Sequence, residues 1–233
     1  MNAEINHHHI AFAPENSLAQ QCYEQLQHEI IEGILKPGEK LKVEPLKKRF
    51  NIGQSPIREA LSLLVALDLV VFEENKGFRV ASISEADIRD TYETFTQIES
   101  MALALAIEKG DDSWEALIVS ELHKLGIVEL RSPAASYKIW AERNYNFHVA
   151  LISGCNSPLL MKIRRTIYMK FDRYCNISYN LSKEELPRNH DRHTELAAAV
   201  LARDTKKASS LLASHINEPL EAVIETLKKN NLI

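Results

Sequence analysis

The sequence predicts a mainly α-helical chain in two parts: three short helices with a β-hairpin, then an all-helical bundle of six to seven helices. Three observations carry this prediction. Apolar residues recur at helical spacing from Leu18 onward, two strand-like runs flank one turn at 73–77, and no strand pattern follows Ser84. The implied division is a polar tail over 1–14, a small domain over 15–82 and a helical domain over 83–233. Only 7 Gly and 8 Pro fall among 233 residues, so long irregular stretches are not expected.

The elements follow in order. Ser17 to Ile34 sets Leu18, Cys22, Leu26, Ile30 and Ile31 on one stripe of a first helix, which the turn residues Lys36-Pro37-Gly38-Glu39 end. A second, short helix over Val43–Phe50 has Leu46 and Phe50 on one face. Asn51-Ile52-Gly53 then supplies a tight turn, because Asn and Gly tolerate positive φ. The third helix is expected to open at Ser55-Pro56, with Ser as N-cap and Pro at the first helical position. Ile57, Ala60, Leu61, Leu64 and Leu67 line its inner face, and Gln54, Arg58 and Ser62 the opposite one. A short helix, a glycine turn and a helix with an exposed polar stripe make a helix-turn-helix. Leu69–Phe72 and Phe78–Ala81, joined by Glu73–Gly77, read as a hairpin that must pack on these helices: a wing.

Beyond it, helices are expected from Ser84 to about Lys109, near Trp114–Leu130, and over Pro133–Ile152, Pro158–Tyr179, Glu184–Ala202 and Thr205–Lys229.

Net charge is -4, which argues against a non-specific nucleic-acid binder. Its distribution is more telling. From Lys36 to Arg58 seven basic residues, Lys48 among them, face two acidic ones, a local balance of +5. A focused basic patch on an acidic chain suits a specific reader of DNA, although a solvated charged face has the same composition. Cys22, Cys155 and Cys175 are odd in number and lack C-x-x-C spacing, so reduced thiols are expected rather than disulfides or a zinc site. No apolar run approaches the ~18 residues that span a bilayer, and Met1–Pro14 carries no secretory signal pattern. A cytoplasmic protein without membrane association is the expectation. His7, His8 and His9 read as part of the polar tail.

The stretch Gly53-Gln54-Ser55-Pro56-Ile57-Arg58-Glu59-Ala60-Leu61 resembles the signature of GntR-family regulators, where a recognition helix commonly begins Ser-Arg-Thr-Pro-Val-Arg-Glu-Ala-Leu. Gly33–Gly38 upstream and Lys76-Gly77-Phe78-Arg79-Val80 downstream fit the same pattern, so the likeness covers Leu18 to Ala81. The helical remainder resembles the FadR-subfamily ligand-binding domain of the FCD type. The resemblance implies a homodimer whose two winged domains occupy half-sites of a near-palindromic double-stranded operator. Arg58 would then reach a guanine edge or a phosphate, with Gln54 and Ser55 nearest the bases and Lys76 and Gly77 on the wing. The competing reading of Arg58 is a surface ion pair with Glu59 or Asp68. Gln54 stands where Arg is usual, and Gln pairs bidentately with adenine, so the operator sequence is not transferable from other members. Glu44 falls where some members carry an Arg near the DNA.

Many FadR-type sensor domains hold a metal with one Asp and three His, the first two within Asp-x-x-Phe-His. Here those positions read Asn144-Tyr145-Asn146-Phe147-His148, with His193 and His215 matching the other two histidines. Residues four apart share a helix face, so Asn144 and His148 point the same way. The implied ion is a transition metal, zinc first, with nickel or manganese as alternatives. Asn144 removes one negative charge from the set, and His190, one turn from His193, is a substitute or outer group. The implied effector is a small carboxylate completing the metal's coordination. Family members often use an Arg on the first sensor helix, but Tyr92–Gln97 contains none, so Arg143, Arg164 or Arg173 would serve, with hydroxyls from Tyr92 and Thr96. The effector would shift a population of sensor-helix arrangements and so change the spacing of the winged domains against fixed half-sites.

Two rival functions are weighed against this regulator. A metal-dependent enzyme needs an activated water and a nearby base, and no H-E-x-x-H, paired Glu-x-x-His or Ser/His/Asp arrangement is present. The expectation is that the chain is not an enzyme. A winged-helix module for protein contacts, with structural histidines and no metal, is the alternative.

Overall fold

The computed structural model describes residues 17–131, 136–182 and 189–233. The expected tail over 1–14 and the expected helix starts at Pro133 and Glu184 lie outside the described residues. Among the described residues the chain forms ten helices and three short strands, grouped into two compact units.

The first unit joins residues up to Arg89 with Tyr168–Ser182 and Ala222–Ile233. Helix α1 (Leu18–Ile31) starts where the extended Ser17 accepts a hydrogen bond from the Gln20 amide at 3.0 Å. It stops short of Ile34 because Gly33 turns left-handed at φ +72° and the Leu35 amide closes on the Glu29 carbonyl at 3.0 Å. A Cβ at Gly33 would lie 2.7 Å from Ile177 Cγ1, a second reason for glycine there. Strand β1 (Lys40–Leu41) follows, two residues long and so without any alternation to read. Helix α2 (Val43–Phe50) ends in Asn51 at φ 53°, the left-handed turn expected of that residue.

Helix α3 spans Gln54–Val65, and its N-cap is Gly53, not Ser55. Pro56 therefore stands third in the helix. Its missing amide is harmless there, because first-turn amides have no partner within the helix. Strands β2 (Val70–Glu73) and β3 (Gly77–Val80) form the wing, with Phe72 opposite Phe78. β1 adds to β3 with Lys40 opposite Arg79, giving an antiparallel sheet in the order β1-β3-β2. Tyr23, Leu26, Ile30, Ile57, Leu61, Leu64 and Val80 make the core, joined by Met169 from the later segment. Arg173 of that segment donates to the Ala81 carbonyl at 2.6 Å.

The second unit comprises Asp90–Ile167 and Lys183–Glu221. Helix α4 (Glu85–Lys109) begins in the first unit, and α7 (Pro158–Ser182) ends in it. Between them lie α5 (Asp112–Arg131) and α6 (Tyr137–Ser153), and α8 (His190–Leu201) and α9 (Thr205–Asn217) follow. Ser136 and Asp204 cap α6 and α9 by accepting amides of the first turn. The single helix expected over Thr205–Lys229 is two, α9 and α10 (Leu220–Lys229). Pro219 explains the break: it has no amide to donate, and its ring crowds the preceding turn.

Candidate functional site

Three helices of the second unit bring His148 (α6), His193 (α8) and His215 (α9) together. The Nε2 atoms of His148 and His215 stand 3.1 Å apart, and those of His193 and His215 3.3 Å apart. All three residues offer ligand atoms within 4.8 Å of one another. Two imidazole nitrogens bound to one zinc at ~2.0–2.1 Å and tetrahedral angles would be about 3.4 Å apart, so the spacing suits a shared cation. His148 and His215 stack at 4.9 Å, while the His193 ring meets both edge-on.

Electrostatics point the same way. Burial, with His215 and His193 alongside, holds the His148 imidazole well below its ordinary range. Burial and the nearby His193 push His215 down to about 3. The uncharged forms of His148 and His215 are thereby favoured, and an uncharged imidazole is the form that binds a transition metal. Asn144 stands one turn before His148, and its buried Oδ1 lacks a hydrogen-bond partner among the described residues, as does Nδ1 of His215. An unsatisfied amide oxygen one helical turn from His148 can serve as a fourth donor, so the donor set is compatible with a metal.

Behind the triad sits Glu129 on α5, a residue the sequence reading missed. Its carboxylate lies 3.1 Å from Nδ1 of His193 and 3.3 Å from Nδ1 of His190, and accepts from Trp140 Nε1 at 3.2 Å. Burial works to raise its pKa, but hydrogen bonds from His193, Trp140 and His190 outweigh this and keep it below the usual carboxylate range. A signal for it was present. Gly126 is a glycine inside a helix, worth about 1 kcal/mol against alanine. A Cβ at this position would meet His190 Cε1 at 2.7 Å, so the glycine leaves room for the ring that reaches Glu129.

The effector candidates have different surroundings. Arg164 is buried, paired with Glu99, and its guanidinium lies 5.6 and 5.0 Å from the ring centroids of Phe95 and Tyr145. Its charge also contributes to the depression of His148. Tyr92 is fully buried; Thr96 donates to the Tyr92 carbonyl at 2.7 Å and accepts from Asn217, two residues past His215, at 3.1 Å. Arg143 is half-buried next to Asn144. Arg173 belongs to the first unit, where it donates to the Ala81 carbonyl.

In the winged unit, Gln54, Ser55 and Arg58 are exposed on α3 while Ile57, Ala60, Leu61 and Leu64 bury the opposite face. Arg58 makes no ion pair among the described residues, and Asp68, its competing partner, lies 3.5 Å from Lys170 instead. Lys48 is exposed on α2. The +5 patch is partly neutralised within the chain: Arg49 is drawn onto the buried Glu29, and Lys47 onto Glu44 at 3.0 Å. On the wing Lys76 pairs with Glu73 at 2.7 Å. Gly77 has φ +82°, and a Cβ there would meet nothing within 4 Å, so the backbone conformation demands the glycine.

A helix-turn-helix with a free polar face, a wing, and a separate helical unit define a DNA-binding transcriptional regulator. Residues 18–80 match the bacterial regulatory proteins of the gntR family, and residues 90–218 match the FCD domain. The chain belongs to the GntR family and carries an FCD domain. It is 39% identical over 214 residues to the HTH-type transcriptional repressor GlaR of Escherichia coli, covering 89% of this chain and 96% of that one. It is 34% identical over 218 residues to the HTH-type transcriptional regulator BphR of Paraburkholderia xenovorans, covering 92% of this chain and 88% of that one. Among solved structures, E. coli McbR/YncC shares the fold with a TM-score of 0.71 at 22% identity, over 90% of this chain and 98% of that one. These relatives are named transcriptional regulators, and with its GntR and FCD domains the chain is a DNA-binding transcriptional regulator.

Proposed function

We propose that the chain is a homodimeric, FadR-type repressor that leaves a near-palindromic operator when a small carboxylate binds beside a transition metal in its helical domain. Convergence of three imidazole Nε2 atoms carries the sensing half of this reading. The name of the 39% identical relative supports the sign of regulation. Asn144, His148, His193 and His215 would hold the ion, zinc by preference for imidazole, with nickel or manganese as alternatives. When bound, it supplies an open coordination position for an effector carboxylate. Arg143 and Arg164 add positive charge near that position, and Tyr92 and Thr96 polar groups. Coupling of about 1–3 kcal/mol changes operator affinity roughly 5- to 150-fold. The DNA reader is assigned to residues 15–82 and the sensor to 83–233. No described helix is long and apolar enough to cross a membrane. As a reader of operator DNA the protein would act in the cytoplasm.

Elemental analysis of the purified full chain tests the metal. About one equivalent of transition metal per chain is expected, lost in His148→Ala. A metal-free wild type would return the histidines to a structural role and leave effector binding to protein groups alone.

Lys48, Gln54, Ser55, Arg58, Lys76 and Gly77 form the proposed DNA face. With an operator recovered by selection from random DNA, Arg58→Ala should lose about 1–3 kcal/mol of binding and relax the preference at one guanine. Lys48→Ala should weaken all sequences alike and lower the salt slope by about one. Titration by electrophoretic mobility shift at several salt concentrations separates the two. Equal loss on random DNA for Arg58→Ala would reduce it to a phosphate contact.

A further inference from the structure

Glu129 is buried on α5, with its carboxylate behind the metal-facing His193 and not in the triad itself. Three ring N–H groups surround it, from Trp140 on α6 and from His190 and His193 on α8. A hydrogen-bond hub alone could be built from a neutral amide. An ionised carboxylate only accepts, so it makes Nδ1 of both imidazoles a donor and sets a full negative charge against His193, which an amide would not. Bonding to Nδ1 of His193 also fixes the tautomer: the proton stays on Nδ1 and the lone pair of Nε2 faces His215 and His148. The room for this arrangement is created by Gly126, one turn before Glu129, where a Cβ would collide with His190. Meanwhile Asn144 leaves the donor set one charge short of an Asp-and-three-His site.

We propose that Glu129 is the positioning residue of the metal centre and returns, through His193, the negative charge that Asn144 lacks. A neighbouring carboxylate makes an imidazole a stronger donor, so the charge need not touch the ion to tighten its binding. Trp140 and His190 hold the carboxylate in register with His193. The inference rests on the metal reading above. It adds to that reading a residue outside the donor set and a prediction about charge.

The test is chelator competition for Zn(II) on the full chain, stripped of metal, with the visible absorption of the Co(II) form as a second readout. Glu129→Gln keeps the shape and removes the charge; it should weaken Zn(II) 10- to 100-fold and shift the Co(II) bands. Glu129→Asp keeps the charge and should bind more tightly than Glu129→Gln. Asn144→Asp should bind more tightly than wild type, and Glu129→Gln/Asn144→Asp should return toward it. Wild-type affinity in Glu129→Gln, or Glu129→Asp weaker than Glu129→Gln, overturns the proposal and leaves the metal reading standing. Should Glu129→Gln not fold, Asn144→Asp alone decides: unchanged affinity means there is no charge deficit to make good. A wild type that binds no Zn(II) overturns both.

Discussion

Arg164→Ala should destabilise the protein by about 3–5 kcal/mol, the usual consequence of stranding one member of a buried ion pair. Arg164 and Glu99 are each 1% exposed, and the guanidinium is the carboxylate's ion partner. Burial raises the Glu99 pKa, and the opposing pull of Arg164 does not fully offset it. Oε2 of Glu99 has no hydrogen-bond partner among the described residues, so the pair is not fully satisfied even when intact. Without the guanidinium, the carboxylate must take up a proton or draw in water, and the cation's contacts with the Phe95 and Tyr145 rings are lost as well. Glu99→Met/Arg164→Met, which replaces both charges with apolar groups of similar length, should recover most of the loss. Urea denaturation of the three proteins measures this. A single-variant loss below about 1 kcal/mol, or a double variant no better than the single, would mean that water already reaches the pair. The pairing also bears on effector binding. Arg164 is already committed to Glu99, whereas Arg143 makes no ion pair among the described residues, so a carboxylate effector would find Arg143 the less encumbered cation.

The helix-turn-helix was legible because every signal for it is local. The 43–50 helix, the left-handed Asn51 and the inward face of α3 all follow from spacings of four residues or fewer. The triad was legible differently. Asn144 and His148 share a face by spacing, but His193 and His215 were placed only through likeness to a known pattern, since 45 and 67 residues separate them from His148. What escaped was non-local and polar. Glu99 meets Arg164 across 65 residues and Glu129 meets His193 across 64, and periodicity cannot report which buried charges find each other. Two local errors have other causes. Propensity puts the cap of α3 at Ser55, but Gly53 holds the extended backbone that precedes the helix. Apolar residues keep a helical period on both sides of Pro219, so periodicity alone does not report the break. The contribution of Tyr168–Ser182 to the winged unit could not be read from a helix whose pattern is continuous from end to end.

Trp114→Ala should cost about 3–5 kcal/mol, the range for deleting a large aromatic from a core, and should also loosen the histidine site. Its ring is 5% exposed and lies against two glycines. A Cβ at Gly154 would stand 3.0 Å from three indole atoms, and one at Gly110 would stand 2.0 Å from the ring. The indole N–H donates to the Ala150 carbonyl at 2.9 Å, and the Arg203 guanidinium lies 5.5 Å from the ring centroid. Arg203 in turn donates to the Gly110 carbonyl at 2.9 Å and pairs with Glu115 at 2.7 Å. The indole therefore ties the start of α5 to the end of α6. Trp114→Phe keeps much of the packing and gives up the hydrogen bond; about 1 kcal/mol of the loss should appear there, since the Ser153 hydroxyl still reaches the Ala150 carbonyl. Gly154→Ala approaches the same contact from the other side and should cost about 1–3 kcal/mol by overpacking. Ala150 lies two residues beyond His148, so a shift of α6 large enough to close the cavity must also carry His148 relative to His193 and His215. If the three histidines hold zinc as proposed, Zn(II) affinity measured in Trp114→Ala should fall with its stability, the effect reaching His148 through α6. Stability lost with Zn(II) affinity intact would mean that the cavity stays open and α6 holds its place by its other contacts.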